Sequence, residues 1–428
     1  MPRRNLRLMI ALTLFCLVCA TRASRHGQVL VFAMRQIQER ALEPVGEQEL
    51  FAGALEGMMG RLDPYSVYIP PKLLSDFEET LTQEFGGVGL EILLDPETGE
   101  LTVASPLPDT PAQRAGVRSG DKILKIDGES TKGMSLEDAR DRMRGAPGDP
   151  VTLTVLHPHE EEPVDIRIVR DVIKVGTVWG DRRNENGVWN YMLEDHPGLA
   201  YVRISSFSEE TAHELQQVIR RLLDQEGMKA LILDLRNNPG GLLEAAIEIC
   251  DLFVASGQIV STRDRDGRVR SIFHASQSGT LPQFPMVVLI NQLSASASEI
   301  VAACLQDHRR AAVVGQRSFG KGTVQEIIRL ERPDGVLKLT TASYWRPNGK
   351  NIHRTQEAEE NGHWGVSPDP GLEVTVEGEA LSRWSQWRMD RDLNKTESQS
   401  GSDPQDLSAD PQLTKAIEYL EKQLEQET

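Results

Sequence analysis

The chain has 428 residues, of which 64 are acidic and 47 are basic, giving a formal net charge of −17. This length is enough for two or three domains with separate cores. The acidic balance argues against nucleic acid or an anionic membrane surface as a partner.

The first 23 residues have the pattern of a signal peptide. Arg3, Arg4 and Arg7 form a basic start, residues 8–20 are mostly apolar, and the sequence Ala-Thr-Arg-Ala-Ser at 20–24 offers a cleavage site with small residues. An apolar stretch of this length is too short to cross a bilayer comfortably, which favours cleavage over anchoring. We therefore expect an exported protein of the periplasm or cell envelope, with an uncleaved membrane anchor as the alternative.

Residues 24–82 show apolar side chains at helical spacing, for example at Val29 and Phe32. Asp63 followed by Pro64 indicates a turn at the end of a helix. The segment is predicted to be helical, and its helices are candidates for a homo-oligomer contact.

Residues 83–174 read as a small β-rich module with a glycine-rich turn, a short helix, a strand with its hairpin, a longer helix and a closing strand. In that order these are Gly87-Val88-Gly89-Leu90, 112–120, 121–128, 135–143 and 151–156. The ordered set resembles a PDZ domain. The resemblance implies that Gly87, Val88, Gly89 and Leu90 form the loop that binds a terminal carboxylate, while the adjacent strand edge accepts an extended peptide. The expected partners are therefore proteins or peptides with apolar C-termini.

Strands and helices alternate from residue 199 to residue 314, which indicates an α/β core. The apolar strand at 230–236 runs into a Pro-Gly-Gly turn that contains Gly240 and Gly241. Such a turn directs backbone N–H groups into the crevice at the carboxyl edge of a sheet. A plain helix-entry turn is an equally good interpretation for either glycine taken alone.

A second strand, at 286–290, leads into alternating serine and alanine residues at the start of a predicted helix, 300–306. The first N–H groups of a helix have no partner within it, which suits a position where an oxyanion develops. Composition alone does not choose among Ser294, Ser296 and Ser298 as a nucleophile.

The segment from Gly315 to Lys321 fits the first part of a phosphate-binding loop. That interpretation requires Ser or Thr directly after the lysine and then a helix. Gly322 follows instead, and residues 323–330 have the pattern of a strand with a hairpin partner at 337–341. The nucleotide-binding interpretation is therefore disfavoured.

The stretches Ser-Ala-Ser-Ala-Ser-Glu-Ile and Phe-Gly-Lys-Gly-Thr-Val-Gln resemble the core of the carboxyl-terminal processing proteases, a Ser/Lys peptidase family. The resemblance implies that Ser296 is the nucleophile, Lys321 the general base and Gln325 the residue that orients the lysine. It also implies that Ala297 and one of Gly240 or Gly241 form the oxyanion hole.

A neutral lysine can activate a serine without histidine, metal or cofactor, so none of these is expected. Burial in an apolar pocket disfavours the ammonium form that would otherwise make lysine useless as a base.

The resemblance extends over residues 28–375. The predicted fold is a multidomain one of the α/β (α+β) class, in which helices and strands are mixed. A PDZ domain at 83–174 is followed by a protease core at 175–375, for which the resemblance implies the crotonase-like spiral. Residues 376–428 are predicted to contain a polar linker from Asp390 to Ser408 and, from about Pro411, an amphipathic terminal helix that docks on the body or serves as an oligomer contact. We predict an exported serine endopeptidase; the alternative is an inactive PDZ-containing binding protein.

Overall fold

The computed structural model describes residues 25–95, 98–184, 187–330, 334–392 and 406–427. The predicted signal peptide at 1–23 lies outside these ranges. Within them, no helix is long and apolar enough to cross a membrane. The chain divides into two compact units. The first contains the described residues up to Leu74 together with Gln325–Thr340, and the second contains Ser75–Val324 and the described residues from Thr341 onward.

The first unit contains the predicted helices, Arg25–Arg40 and Glu47–Met59, followed by the strand Val67–Ile69 and the short 3-10 helix Pro71–Leu73. The strand pairs antiparallel with the start of the strand Val336–Trp345, with Val67 opposite Lys338. No residue of the first helix is buried. Its apolar side chains therefore lie at the surface of this unit.

The β-rich module of the second unit is a twisted antiparallel sheet with two helices. Its strands are Leu90–Leu94, Leu101–Pro106, Lys122–Ile126, Glu129–Ser130, Pro150–Leu156 and Val164–Val169, and its helices are Pro111–Arg114 and Leu136–Met143. The apolar residues Val151, Leu153 and Val155 alternate with threonines along one strand and are fully buried. This period of two places one face of the sheet on the core. The strands Glu84–Gly87 and Asp171–Lys174 pair where the chain enters and leaves the module.

The centre of the second unit is a five-stranded sheet in which four strands run parallel. In spatial order the strands are Val178–Trp179, Leu199–Ile204, Ala230–Asp234, Met286–Ile290 and Ala312–Gly315. The strands read as continuous apolar runs because both faces of a parallel sheet are covered.

Alternate residues of these strands enter two separate cores. The helices Thr211–Gln225, Leu243–Phe253 and Ala297–Asp307 cover the first core, and the helices Gly378–Asp392 and Pro411–Glu427 cover the second. The result is a three-layer α/β/α body.

The remaining elements of the chain are short or lie outside the central sheet. Gly257–Arg263 and Val269–Ala275 form an antiparallel pair, and Thr323–Arg329 pairs with Val336–Trp345 as the predicted hairpin. The others are Leu74–Thr82, Arg182–Arg183, Trp189–Asn190, Gln356–Glu360 and Leu407–Ala409.

The linker prediction is wrong at its start. Residues Asp390, Arg391 and Asp392 complete the helix Gly378–Asp392, and residues 393–405 lie outside the described structure. The sequence looked polar here because several of the buried residues of this helix are charged.

The terminal helix Pro411–Glu427 docks on the body, one of the two outcomes expected from its sequence. Leu413 and Leu420 are fully buried in the second core. At the start of the helix, Asp410 accepts two hydrogen bonds of 2.8 Å from the buried Arg236 guanidinium and one of 2.9 Å from the Leu413 N–H. Burial opposes ionisation of Asp410, but the charge and hydrogen bonds of Arg236 outweigh it and lower the pKa of Asp410.

Replacing Asp410 with Asn should reduce the free energy of unfolding at neutral pH by about 1–3 kcal/mol, because the buried Arg236 guanidinium would lose one of its two carboxylate partners and keep only Asp234. Since the folded-state pKa of Asp410 lies below the unfolded value of about 3.9, its stabilisation is complete above about pH 4 and is lost as the pH falls further. Urea unfolding of wild type and variant should therefore give curves that converge in acid. Asp406→Asn, at an exposed aspartate nearby, is the control and should change stability by less than about 0.5 kcal/mol. Equal stability of Asp410→Asn and wild type at neutral pH would contradict the role given to this pair.

Candidate active site

Ser296 occupies a strained position between a buried strand and a helix. It follows the strand Met286–Ile290, precedes the helix Ala297–Asp307 and has φ 58° and ψ −113°. Positive φ is uncommon for a residue other than glycine, and such strain concentrates at functional sites. The side chain is 6% exposed. The serine therefore sits at the positive end of a helix with its backbone held in a sharp turn.

The other two serines of the cluster make structural hydrogen bonds. The Ser294 hydroxyl donates to the Leu235 carbonyl at 2.8 Å, and the Ser298 hydroxyl donates to the Asn238 carbonyl at 3.0 Å. Both bonds attach the helix start to the segment between the strand Ala230–Asp234 and the Pro-Gly-Gly turn. These roles set Ser294 and Ser298 apart from Ser296.

One buried carboxylate, that of Glu299, holds the segments that carry the predicted nucleophile and base. Its Oε2 accepts from the N–H groups of Ser296 and Lys321, both at 2.8 Å. Its Oε1 accepts from the Ser318 hydroxyl at 2.5 Å and the Gly320 N–H at 2.7 Å. Burial raises the pKa of Glu299, and these four hydrogen bonds oppose that rise. The carboxylate thus fixes the Ser296 backbone relative to the Lys321 backbone.

The backbone on both sides of Lys321 is closely packed. A Cβ at Gly320 would lie 2.7 Å from the side chains of Arg354 and Trp364, and a Cβ at Gly322 would lie 2.3 Å from the His353 backbone nitrogen. No side chain fits at either glycine without displacing its neighbours. Lys321 itself is half-buried.

The Pro-Gly-Gly turn touches the helix start. A Cβ at Gly240 would lie 2.8 Å from both the Ala295 carbonyl oxygen and the Ser296 Cβ, and 3.0 Å from the Ala297 nitrogen. The Gly240 N–H donates to Asn238 Oδ1 at 2.8 Å. A Cβ at Gly241 would collide with Phe207 at 2.1 Å. The two glycines predicted for the oxyanion hole therefore differ, because the N–H of Gly240 is held inside the turn.

Gln325 lies in the strand Thr323–Arg329 and belongs to the first compact unit, whereas Ser296 and Lys321 belong to the second. Its Nε2 donates to the Thr340 hydroxyl at 3.1 Å. The structure thus brings Ser296, Ala297, Gly240, Gly241 and Lys321 into one unit, and it gives Gln325 a defined partner in the other.

Residues 198–370 match peptidase family S41, and residues 102–156 match the PDZ domain family. The chain is 40% identical over 393 residues to a carboxy-terminal-processing protease of Bartonella bacilliformis, an alignment that covers 87% of this chain and 83% of the relative. It is 36% identical over 337 residues to the carboxyl-terminal-processing protease of Synechocystis, covering 77% and 73% of the two chains.

The chain belongs to the carboxyl-terminal processing proteases of peptidase family S41. It is therefore a serine-type peptidase with a PDZ domain, and the mixed α/β fold class predicted from the sequence is confirmed. Among solved structures it is similar to the photosystem II D1 C-terminal processing protease, with 28% identity, a TM-score of 0.46, and coverage of 83% of this chain and 95% of that one. The domain boundaries 83–174 and 175–375 stay a prediction.

The four residues predicted for the PDZ carboxylate loop of this processing protease all line one groove. Gly87, Val88, Gly89 and Leu90 border a cavity of about 550 Å³. Gly89 has φ 80°, and the Thr110 hydroxyl donates to its carbonyl at 3.1 Å. The rest of the lining is mainly apolar with two arginines: Phe85, Ile92, Leu136, Met143, Arg140 and Arg144, together with Glu137. The groove therefore combines an apolar lining with two cationic side chains.

Glu299 and Asn238 received no role from the sequence, although both help to build this protease's site. The spacing Ser-x-x-Glu from Ser296 is a capping-box signal that could have identified Glu299. Asn238 offered only a local signal, an Asx turn in which it accepts from Gly240, because its bonds to Ala295 and Ile204 depend on tertiary contact. Among the residues that the structure describes, no group of three or more His, Cys, Asp or Glu side chains is arranged to hold a metal ion.

Replacing Glu299 with Gln should lower kcat by about 100-fold, the loss expected when catalytic groups shift by about an ångström. A neutral amide would keep one acceptor oxygen and turn an NH₂ group toward backbone N–H donors. Hydrolysis of a peptide substrate measures the effect. Glu379→Gln, at an exposed glutamate in the first turn of another helix, should leave kcat unchanged. A fully active Glu299→Gln enzyme would show that the shared carboxylate is dispensable.

Gly240→Ala should abolish most activity, because the added Cβ would push directly against Ser296 and Ala295. Gly267→Ala is the matched control: Gly267 also has positive φ, at 76°, but a Cβ there would meet nothing within 4 Å. Both variants carry backbone strain, but only Gly240→Ala also places a methyl group against the site. If the two variants lost activity equally, backbone strain and not contact with Ser296 would be the cause.

Proposed function

We propose that this peptidase is an exported endopeptidase in which Ser296 is the nucleophile, Lys321 the general base and Gln325 the residue that orients the lysine. The observation that carries the proposal is the Glu299 carboxylate, which accepts hydrogen bonds from the backbones of both Ser296 and Lys321. The strained φ of Ser296 and its place at a helix N-terminus support the choice of nucleophile.

In the first step, neutral Lys321 removes the proton from the Ser296 hydroxyl while the serine oxygen attacks the scissile carbonyl carbon. The carbonyl π bond becomes the oxyanion of a tetrahedral intermediate. As the intermediate collapses, the C–N bond breaks and the leaving amine takes the proton from the Lys321 ammonium. An acyl-enzyme remains on Ser296. Water then attacks it with Lys321 again as base, and the new carboxyl terminus leaves as Ser296 is reprotonated.

The oxyanion would be stabilised by the N–H groups of Ala297 and Gly241. Ala297 is the first residue of the helix, where N–H groups have no partner within the helix. Gly241 is preferred over Gly240 because the Gly240 N–H already donates to Asn238. Removing one such donor costs about 100-fold or more in related sites.

The PDZ groove would select substrates by their C-termini. The N–H groups of the Gly87–Leu90 loop would bind the terminal carboxylate, and the apolar lining would favour apolar side chains next to it. The predicted signal peptide would deliver the enzyme to the periplasm or cell envelope. For self-association we favour the N-terminal helix Arg25–Arg40, in which Val31 is 65% and Phe32 62% exposed, because the C-terminal helix uses its apolar face within its own unit.

Degradation of an unfolded reporter with an apolar or a charged C-terminus tests the proposal. Wild type should degrade the apolar-tailed reporter faster, while Ser296→Ala and Lys321→Ala should be folded and inert. Lys350→Ala, at an exposed lysine, should match wild type. Because the base must be unprotonated, kcat/KM should fall about tenfold per pH unit below the kinetic pKa of the base.

The outcomes separate the competing interpretations. Binding of the tail by all forms without cleavage would favour the inactive PDZ-containing binding protein. Cleavage by Ser296→Ala would mean that another residue is the nucleophile. Equal degradation of both reporters would exclude selection by apolar C-termini.

A further inference from the structure

The turn at Asp63 is closed by its own carboxylate. Asp63 Oδ1 accepts from the Tyr65 N–H at 3.0 Å, and Asp63 Oδ2 accepts from the Ser66 hydroxyl at 2.8 Å. The sequence predicted a turn that ends a helix, and the turn indeed follows the helix Glu47–Met59. Its side chains make further contacts that helix termination does not require.

The same turn holds Thr340, which is 277 residues away in sequence. The Thr340 hydroxyl donates to Asp63 Oδ1 at 2.9 Å, and the Thr340 N–H donates to the Ser66 hydroxyl oxygen at 3.0 Å. The neighbouring pairing of Val67 with Lys338 fixes the register of the two segments. Both the backbone and the side chain of Thr340 are therefore held by the turn.

Thr340 passes this constraint to Gln325, whose Nε2 donates to the Thr340 hydroxyl at 3.1 Å. A hydroxyl has one hydrogen, and an ionised carboxylate can only accept. The hydroxyl hydrogen of Thr340 is donated to Asp63, so the Thr340 oxygen must accept a hydrogen bond from Gln325. Only the NH₂ end of the Gln325 amide can satisfy that requirement. A reversed amide would place its oxygen against another oxygen with no hydrogen between them.

Asp63 has the charge that this argument requires. Burial opposes its ionisation, but hydrogen bonds from Ser66, Thr340 and the Tyr65 N–H outweigh burial and lower the pKa of Asp63. At neutral pH the side chain is therefore an acceptor at both oxygens.

We propose that Asp63 is a positioning residue for catalysis, which acts through the Thr340 hydroxyl to fix the orientation of the Gln325 side-chain amide. The inference rests on the proposed function, in which Gln325 orients Lys321. All three members of the chain of hydrogen bonds, Asp63, Thr340 and Gln325, belong to the same compact unit.

The orientation of the amide matters because of what a lysine base must do. A neutral amine has N–H donors and one lone pair, and the lone pair must remain available for the serine proton. With its NH₂ group held by Thr340, Gln325 presents its carbonyl oxygen as the acceptor for an amine N–H. A reversed amide would present a donor, which would bind the lone pair and block the base.

Peptidase kinetics of Thr340→Val and Asp63→Asn, alone and combined with Gln325→Ala, test this inference. Thr340→Val keeps the β-branched shape in a strand and removes only the hydroxyl. We expect each single variant to lower kcat by roughly 10-fold to 100-fold with little change in KM, since misplacing a catalytic group has effects of that size. In the Gln325→Ala background neither change should lower kcat further, because the group that they position is gone.

Two controls separate positioning from a general structural role. Thr340→Ser keeps the hydroxyl and should restore kcat to near the wild-type value. Thr341→Val removes the next hydroxyl of the strand, which accepts from Arg270, and should leave kcat unchanged. Melting temperatures of all variants show whether any loss of activity follows a loss of folded protein.

Wild-type kcat in Thr340→Val would overturn the inference, as would full additivity of Thr340→Val with Gln325→Ala. Full activity of Gln325→Ala would overturn both the inference and the role that the proposed function gives to Gln325. The first two failures differ from failure of the Ser296 and Lys321 mechanism, which Ser296→Ala and Lys321→Ala test by themselves. If Ser296→Ala and Lys321→Ala are inactive but Asp63→Asn is fully active, the proposed mechanism stands and Asp63 is not a positioning residue.

Discussion

The catalytic region depends on one buried anion. A carboxylate removed from water is unfavourable unless hydrogen bonds replace its hydration, and Glu299 receives four, two at each oxygen. Three come from the lysine loop, namely the Ser318 hydroxyl and the N–H groups of Gly320 and Lys321, and the fourth comes from the Ser296 N–H. Because an unpaired donor or acceptor here would be costly, the strand-to-helix turn and the lysine loop can hardly move independently.

A second polar centre attaches this region to the sheet. Asn238 donates through Nδ2 to the Ile204 carbonyl at 2.7 Å, accepts the Gly240 N–H, and accepts the Ala295 N–H at its own carbonyl. It thereby connects segments that follow three neighbouring parallel strands. The apolar strands themselves are buried on both faces, so the polar chemistry is confined to the ends where they stop. This is the usual position of sites in parallel sheets.

Much of the fold could be predicted because its signals are local. The strand Met286–Ile290 has its predicted bounds, since it is set by an apolar pattern and adjacent turn residues. The helix Gly378–Asp392 was missed because some of its buried residues are charged. Arg391, for example, pairs at 2.7 Å with the buried Asp181, 210 residues earlier. Its pairing neutralises the charge, but composition cannot show a partner so distant in sequence.

The sequence by itself determined the order of elements, the strand-turn-helix around Ser296, the close glycines beside Lys321 and the family to which the chain belongs. These features depend on short stretches of sequence, in which the residue types directly indicate the backbone conformation. The tertiary structure decided which polar groups meet: Glu299 with Gly320, Asp410 with Arg236, and Asp63 with Thr340 and, through it, Gln325. A polar side chain can satisfy its hydrogen bonds in many ways, so its partner is fixed only when folding brings distant segments within about 3 Å of each other.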